Sequence, residues 1–180
     1  MNVKNNQRTQ NTQNKIKDVL IELLWEKDIN KITIQEICRK ADINRTTFYT
    51  HYNDIYDLMQ KIEVEKMQMI LTLLKNEDED EAVLNERNLE KLLVFILENI
   101  TFYKIYLKDF NINRTLNTLL CNDPFSEEVH QTKCETFYKV EYLKGGLMSA
   151  ILIWLNTGCR ETPKEMAQIL VQCIPSFDPQ

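Results

Sequence analysis

Hydrophobic residues recur along this chain at spacings of three and four, and no long run alternates with the period of two that marks a half-buried strand. Ile16, Val19, Leu20, Leu23 and Leu24 form the first stripe, which predicts a helix from about residue 11 to Lys27 with Trp25 closing a small core at its end. Ile34, Ile37, Cys38 and Ala41 then share one face of a shorter helix. Thr33 opens it as N-cap, and Glu36 stands three positions on, the spacing of a capping box. The break Ala41-Asp42-Ile43-Asn44 supplies one apolar plug, Ile43, and a second cap, Asn44, for a helix that begins at Arg45. Within that third helix Phe48 and Tyr52 lie four apart and face inward. Two short helices joined by so tight a break form a helix-turn-helix. A fourth helix, capped by Asp54 with Asp57 behind it, carries Ile55, Leu58, Met59, Ile62, Ile70, Leu71 and Leu74 in one continuous stripe. At ~1.5 Å per residue it reaches about 30 Å, long enough to link this small domain to a larger one.

The second half continues the helical period after a solvated acidic linker at 76–88. Stripes predict helices over 89–99, 101–109 and 112–121. Their inner face is rich in aromatics: Phe102, Tyr103, Tyr106 and Phe110, with Tyr138 beyond, either pack an ordinary core or line a ligand chamber in which tyrosine hydroxyls are the polar handles. Asp123-Pro124 is a break, after which a long helix leads through Tyr138, Leu147 and Trp154 to Gly158. Thr162-Pro163-Lys164-Glu165 is a second capping box, and the last helix stops at Pro175. Residues 142–171 are apolar nearly all round, yet the run Gly145–Leu155 is too short to span a bilayer. A second copy of the chain is the simplest cover. Tyr142, Gly145, Gly146, Ile151, Trp154, Ile169 and Leu170 are the residues expected at that contact, with the Gly pair marking a close helix approach.

The fold class expected is therefore all-α with about nine helices: a mobile arm over 1–14, a helix-turn-helix domain over 15–60, and a helical regulatory and dimerisation domain over 61–180. A length of 180 residues with 43% hydrophobic content suffices for a core without staples. The five cysteines are odd in number and contain no Cys-x-x-Cys pair, which points to reduced thiols in the cytoplasm, with a redox switch as the alternative. The arm, MNVKNNQRTQNTQN, holds a single Val and no secretory pattern. It is either a frayed end or a minor-groove arm carrying Lys4 and Arg8.

Charge sharpens the picture once it is divided along the chain. Residues 1–53 hold nine Lys or Arg against six Asp or Glu, a balance of +3, while residues 54–180 hold thirteen against twenty-one, a balance of −8. A polyanion is attracted to the first part and repelled by the second. The outward face of the third helix carries Arg45, Thr46, Thr47, Tyr49, Thr50 and His51 and no carboxylate, a set that suits base edges and phosphates. Enzyme chemistry finds little support. His51 and His130 lie far apart without a metalloprotease motif, there is no Gly-x-Ser-x-Gly elbow, and the first 144 residues hold no Gly for a phosphate-cradling loop. Glu77-Asp78-Glu79-Asp80-Glu81 lacks the spacing of a calcium loop, so no metal and no cofactor are expected.

Residues 15–60 resemble the DNA-binding domain of the TetR family of bacterial transcriptional regulators. The family pattern is met by Thr33, Ile34, Ile37, Cys38, Ala41, Ile43, Asn44, Thr47, Phe48, Tyr49, His51 and Tyr52. Asp42 stands where the turn usually has Gly, Asn44 replaces the usual Ser cap, and Ile55 takes the place of a phosphate-binding Lys. The C-terminal hairpin resembles the family's dimerising helices. The resemblance implies a homodimer that binds double-stranded DNA at a palindromic operator, most often as a repressor. Arg45 would read bases, with Thr46, Thr47 and Thr50 as base or phosphate partners, Tyr49, His51 and Thr33 would set register on the backbone, and Asn44, the cap, belongs to the same DNA-binding set. It also implies release by an effector at the C-terminal domain, through a tilt of the fourth helix. Control by a partner protein is the alternative, and a small all-α enzyme is the rival from another class.

Overall fold

The computed structural model describes residues 3–74, 84–109 and 134–174. Among these the chain is all-helical: α1 (Val3–Glu26), α2 (Ile34–Ala41), α3 (Arg45–Tyr49), α4 (Ile55–Leu73), α5 (Glu86–Glu98), α6 (Ile100–Asp109), α7 (Cys134–Asn156) and α8 (Pro163–Gln172), with a 3-10 turn at Ile29–Lys31. The helix expected over 112–121, the acidic run 77–81 and the Asp123-Pro124 break lie outside the described residues. The chain divides into two compact units, Met1–Gln68 and Met69–Gln180.

In the first unit Ile16, Leu20, Leu23, Ile37, Phe48, Leu58 and Ile62 are the most completely buried apolar side chains. Cys38 is buried in the same core, where desolvation raises its thiol pKa and keeps it protonated. Two expectations need correction. Helix α1 starts at Val3, so the stretch expected to trail as a mobile arm is helical. It contains neither Gly nor Pro, propagation from an existing helix costs little, and its polar side chains bond along the helix: Gln10 Nε2 to Asn14 Oδ1 at 3.2 Å and Thr12 Oγ to the Arg8 carbonyl at 3.0 Å. Trp25, expected to close the core, is 59% exposed. It follows Leu24 by ~100° around the helix, which carries it past the edge of the buried stripe.

In the second unit α8 packs on α5, α7 on α6, and α5 also meets α6. The terminal helices thus pack chiefly on earlier ones, not on each other as a hairpin. Asn85 caps α5 by accepting from the Asn88 N–H at 2.8 Å. Thr162 and Glu165 form the complete reciprocal box that opens α8. Helix α7 ends where Gly158 takes a left-handed φ of 89°, which lets the Cys159 N–H reach back to the Trp154 carbonyl at 2.9 Å. The Trp154 indole N–H donates to the Glu161 carbonyl at 3.0 Å and fastens the turn to α7. This overturns part of the expected dimer contact. Ile151, Trp154 and Leu170 are buried within the protomer, because a helix that packs on one neighbour must turn one stripe inward.

Candidate nucleic-acid interface

The helix-turn-helix is fixed by its caps. Thr33, with extended backbone, accepts from the Glu36 N–H at 3.3 Å. The expected reciprocal half of that box is absent from the bonds seen here: the Glu36 carboxylate instead receives Lys27 Nζ at 2.6 Å, and this bond lowers its pKa. Asp42 does take the left-handed conformation that Gly would, at φ 54° and ψ 51°. Its geometry lets the Ile43 N–H close on the Cys38 carbonyl at 3.0 Å, so α2 ends sharply and the chain turns into α3. Asn44 caps α3, its Oδ1 accepting from both the Thr47 N–H at 2.7 Å and the Thr47 hydroxyl at 2.9 Å.

Phe48 and Tyr52 anchor α3 in the core, with ring centroids 5.6 Å apart. Burial, reinforced by Glu65 and Asp57, pushes the Tyr52 phenol up to about 12, so it stays neutral. The opposite side of α3 presents Arg45, Thr46, Tyr49 and Thr50 to solvent, beside the exposed Thr33 and Asn44. These groups are not equally available. Thr47 spends its only hydroxyl proton on Asn44, and Thr50 gives its own to the Thr47 carbonyl at 2.6 Å, so both offer lone pairs outward and no proton. Arg45 Nη2 donates to Gln35 Oε1 at 3.0 Å, a partner on α2 that the sequence reading did not name. Gln35 was findable as an exposed polar residue between the inward Ile34 and Ile37. His51 is half-buried, with Nδ1 3.5 Å from Gln13 Nε2 and its carbonyl accepting Lys61 Nζ at 2.8 Å. If Gln13 donates there, Nδ1 is the acceptor and Nε2 carries the proton. Ile55 opens α4 between Asp54 and Asp57, and the lysine head at that end belongs to Lys61, whose Nζ also donates to Asp57 Oδ2 at 3.1 Å.

Of the residues expected to meet an effector, Phe102, Tyr103 and Tyr106 come together: Phe102 stacks on Tyr106 at 5.1 Å and meets Tyr103 edge-on at the same distance. Tyr103 is 3% exposed, and its hydroxyl has no hydrogen-bond partner among the described residues. Burial raises its pKa far above the ordinary phenol value. Tyr138 does not join them. It is 64% exposed, since it sits on the outer face of α7, and Phe110 lies outside the described residues. That outer face continues through Tyr142 at 77% exposure, Gly145, Gly146, Ser149 and Ile153, and Ile169 on α8 is half exposed. A methyl group built on either Gly would meet nothing within 4 Å, so no part of the described chain makes the close approach that the Gly pair suggested.

Among the described residues no helix is long and apolar enough to cross a membrane. Residues 16–62 match the family described as bacterial regulatory proteins, tetR family, and residues 85–176 match the TetR-type family described as transcriptional regulator C-terminal region. The HTH-type transcriptional regulator YxbF of Bacillus subtilis (strain 168) is 22% identical over 160 residues, which cover 85% of this chain. This chain spans 42% of the length of that relative. Among solved structures, a TetR transcriptional regulator from Streptococcus agalactiae 2603V superposes with a TM-score of 0.67 at 20% identity, covering 94% of this chain and 97% of its own. The fatty acid degradation regulator FadR from Bacillus halodurans gives 0.63 at 16% identity with the same coverage of 94% and 97%. The dihydroxyacetone kinase operon activator DhaS gives 0.56 at 18% identity, covering 91% and 93%. The rival reading as a small enzyme falls with these matches, because the family consists of regulators of transcription. The chain belongs to the TetR family of bacterial regulatory proteins, with an N-terminal helix-turn-helix and a helical C-terminal domain.

Proposed function

We propose that the chain acts in the cytoplasm as a homodimeric repressor that binds a palindromic operator and is released by an effector held in its C-terminal domain. The reading domain is taken as residues 15–60 and the regulatory domain as 61–180. The observation that carries the proposal is the outer face of α3, where an unburied Arg45 and the hydroxyls of Thr46 and Tyr49 stand together with no carboxylate among them. Arg45 reads a base edge; Thr46, Thr47 and Thr50 meet bases or phosphates. Thr33, Asn44, Tyr49 and His51 hold the phosphate backbone and set register. Two copies of α3 about a two-fold axis enter successive major grooves ~34 Å apart. The outer face of α7, with Tyr142, Gly145 and Gly146, and Ile169 of α8 supply the contact between copies. The effector proposed is a small molecule with a hydrogen-bond acceptor, placed against Phe102 and Tyr106 where the buried Tyr103 hydroxyl has no partner among the described residues.

Selection of bound oligonucleotides from a random pool tests this reading directly. Two inverted half-sites are expected. A single unrepeated site, or no enrichment at moderate salt, would overturn it. Arg45→Ala should cost about 1–3 kcal/mol of operator affinity and relax the choice at one base pair of each half-site. Tyr49→Phe should weaken all duplexes alike and leave the base preferences unchanged, as measured by titrating matched and mismatched duplexes.

A further inference from the structure

We infer that Gln35 is a specificity-determining residue of this interface: it fixes the orientation of the Arg45 guanidinium and presents its own amide N–H groups to the base beside the one Arg45 reads. The inference rests on the proposal that Arg45 reads a base edge. Gln35 lies on α2 and Arg45 opens α3, so their 3.0 Å hydrogen bond crosses the turn of the motif. Both side chains are exposed, whereas the hold between the two helices comes from Ile37, Cys38, Ala41 and Phe48 beneath them. The bond therefore has little to do with keeping the motif folded. It restrains a long, rotamer-rich side chain before encounter, which lowers the entropy lost when the guanidinium docks.

The chemistry of the pair fixes its preferences. A guanidinium only donates, so the Gln35 atom facing Arg45 must be the carbonyl oxygen, and the amide nitrogen points away with two N–H donors. Arg45 commits one hydrogen of Nη2 to this bond and keeps the rest of its fork for O6 and N7 of a guanine. Glutamine alone would favour adenine, because its oxygen accepts from N6 while its nitrogen donates to N7. Here Arg45 holds one lone pair of that oxygen and leaves the two N–H donors turned away from it. These donors match the acceptors on guanine, thymine and adenine and find none on the edge of cytosine, whose N4 only donates. The pair thus selects guanine next to a base other than cytosine.

The test is oligonucleotide selection with the full chain as wild type, Arg45→Ala, Gln35→Ala and Gln35→Glu, read position by position. The wild type should enrich guanine and deplete cytosine beside it. Gln35→Ala should lose the bias against cytosine and weaken the guanine preference by about tenfold. Gln35→Glu keeps an acceptor for Arg45 and removes the donors, so it should retain guanine while its neighbour shifts toward cytosine, with affinity lower for every duplex. A structural role alone would move none of these profiles. A cytosine beside the guanine in the wild-type site, or unchanged profiles for both Gln35 variants while Arg45→Ala relaxes the guanine, would overturn the inference and leave the Arg45 reading standing. An unchanged profile for Arg45→Ala would overturn both.

Discussion

Ile153→Arg should leave the protein monomeric and weaken operator binding by about 10²- to 10⁴-fold. Ile153 is 59% exposed on the same face of α7 as Tyr142, Gly146 and Ser149, so within one protomer an arginine there reaches solvent and disturbs no buried contact. Helicity and the midpoint of unfolding should change little, by within ~0.5 kcal/mol, as for other surface substitutions. Between two copies the same side chain would place two like charges in an apolar contact with no counter-charge to neutralise them. The effect on DNA follows from linkage. Once one reading head is bound, the second sees its half-site at an effective concentration in the millimolar range, and a monomer loses that advantage entirely. Sedimentation should show half the wild-type mass, and titration against one half-site should be unaffected while affinity for the full palindrome collapses. A variant that still sediments as a dimer would place the contact elsewhere.

Phe48→Ala should remove about 3–5 kcal/mol from the stability of the Met1–Gln68 unit. Phe48 is fully buried, with the Tyr52 ring at 5.6 Å and the Tyr49 ring edge-on at 5.7 Å, and it is the side chain that fastens the five-residue α3 to the core. At roughly 0.05–0.15 kcal/mol per residue a unit of this size holds about 3–10 kcal/mol, so the loss takes a large part or all of it. The two tryptophans allow the loss to be localised. Trp154 is buried in the second unit, so its emission reports that unit, whereas Trp25 is already exposed and changes little on unfolding. Urea titration should therefore show part of the far-UV helical signal lost at lower denaturant, with the Trp154 transition unmoved. Coincident transitions at the wild-type midpoint would contradict this account of the core.

Much of the motif was readable before any coordinate. The core stripe Ile16, Val19, Leu20, Leu23 and Leu24 is buried as its spacing required, the inward pair Phe48 and Tyr52 is buried, and Asp42 adopts the left-handed turn that its place demanded. Caps were legible in part. Asn44 and Thr162 behave as their sequence neighbourhoods dictate, but at Thr33 the Glu36 carboxylate was taken by Lys27, a partner nine residues back that no local pattern reveals. The candidate site divides in the same way. That Arg45 and its hydroxyl neighbours face outward follows from periodicity, whereas the Gln35 bond and the internal use of the Thr47 and Thr50 protons appear only once α2 and α3 are set at their angle.

The second unit shows where local pattern loses its force. Residues 142–171 are apolar on so many sides that the spacing cannot say which stripe faces the chain's own core and which faces outward. Packing of α7 on α6 and α8 on α5 made that choice, burying Ile151, Trp154 and Leu170 and leaving Tyr142, the two glycines and Ile169 outside. The sequence by itself determined the helices, their caps and the chemistry of the reading face, because these depend on contacts three or four residues apart. Only the tertiary structure decided which apolar face remains exposed, how far α1 extends, and which side chain steadies Arg45, because each depends on groups brought together from distant or competing positions.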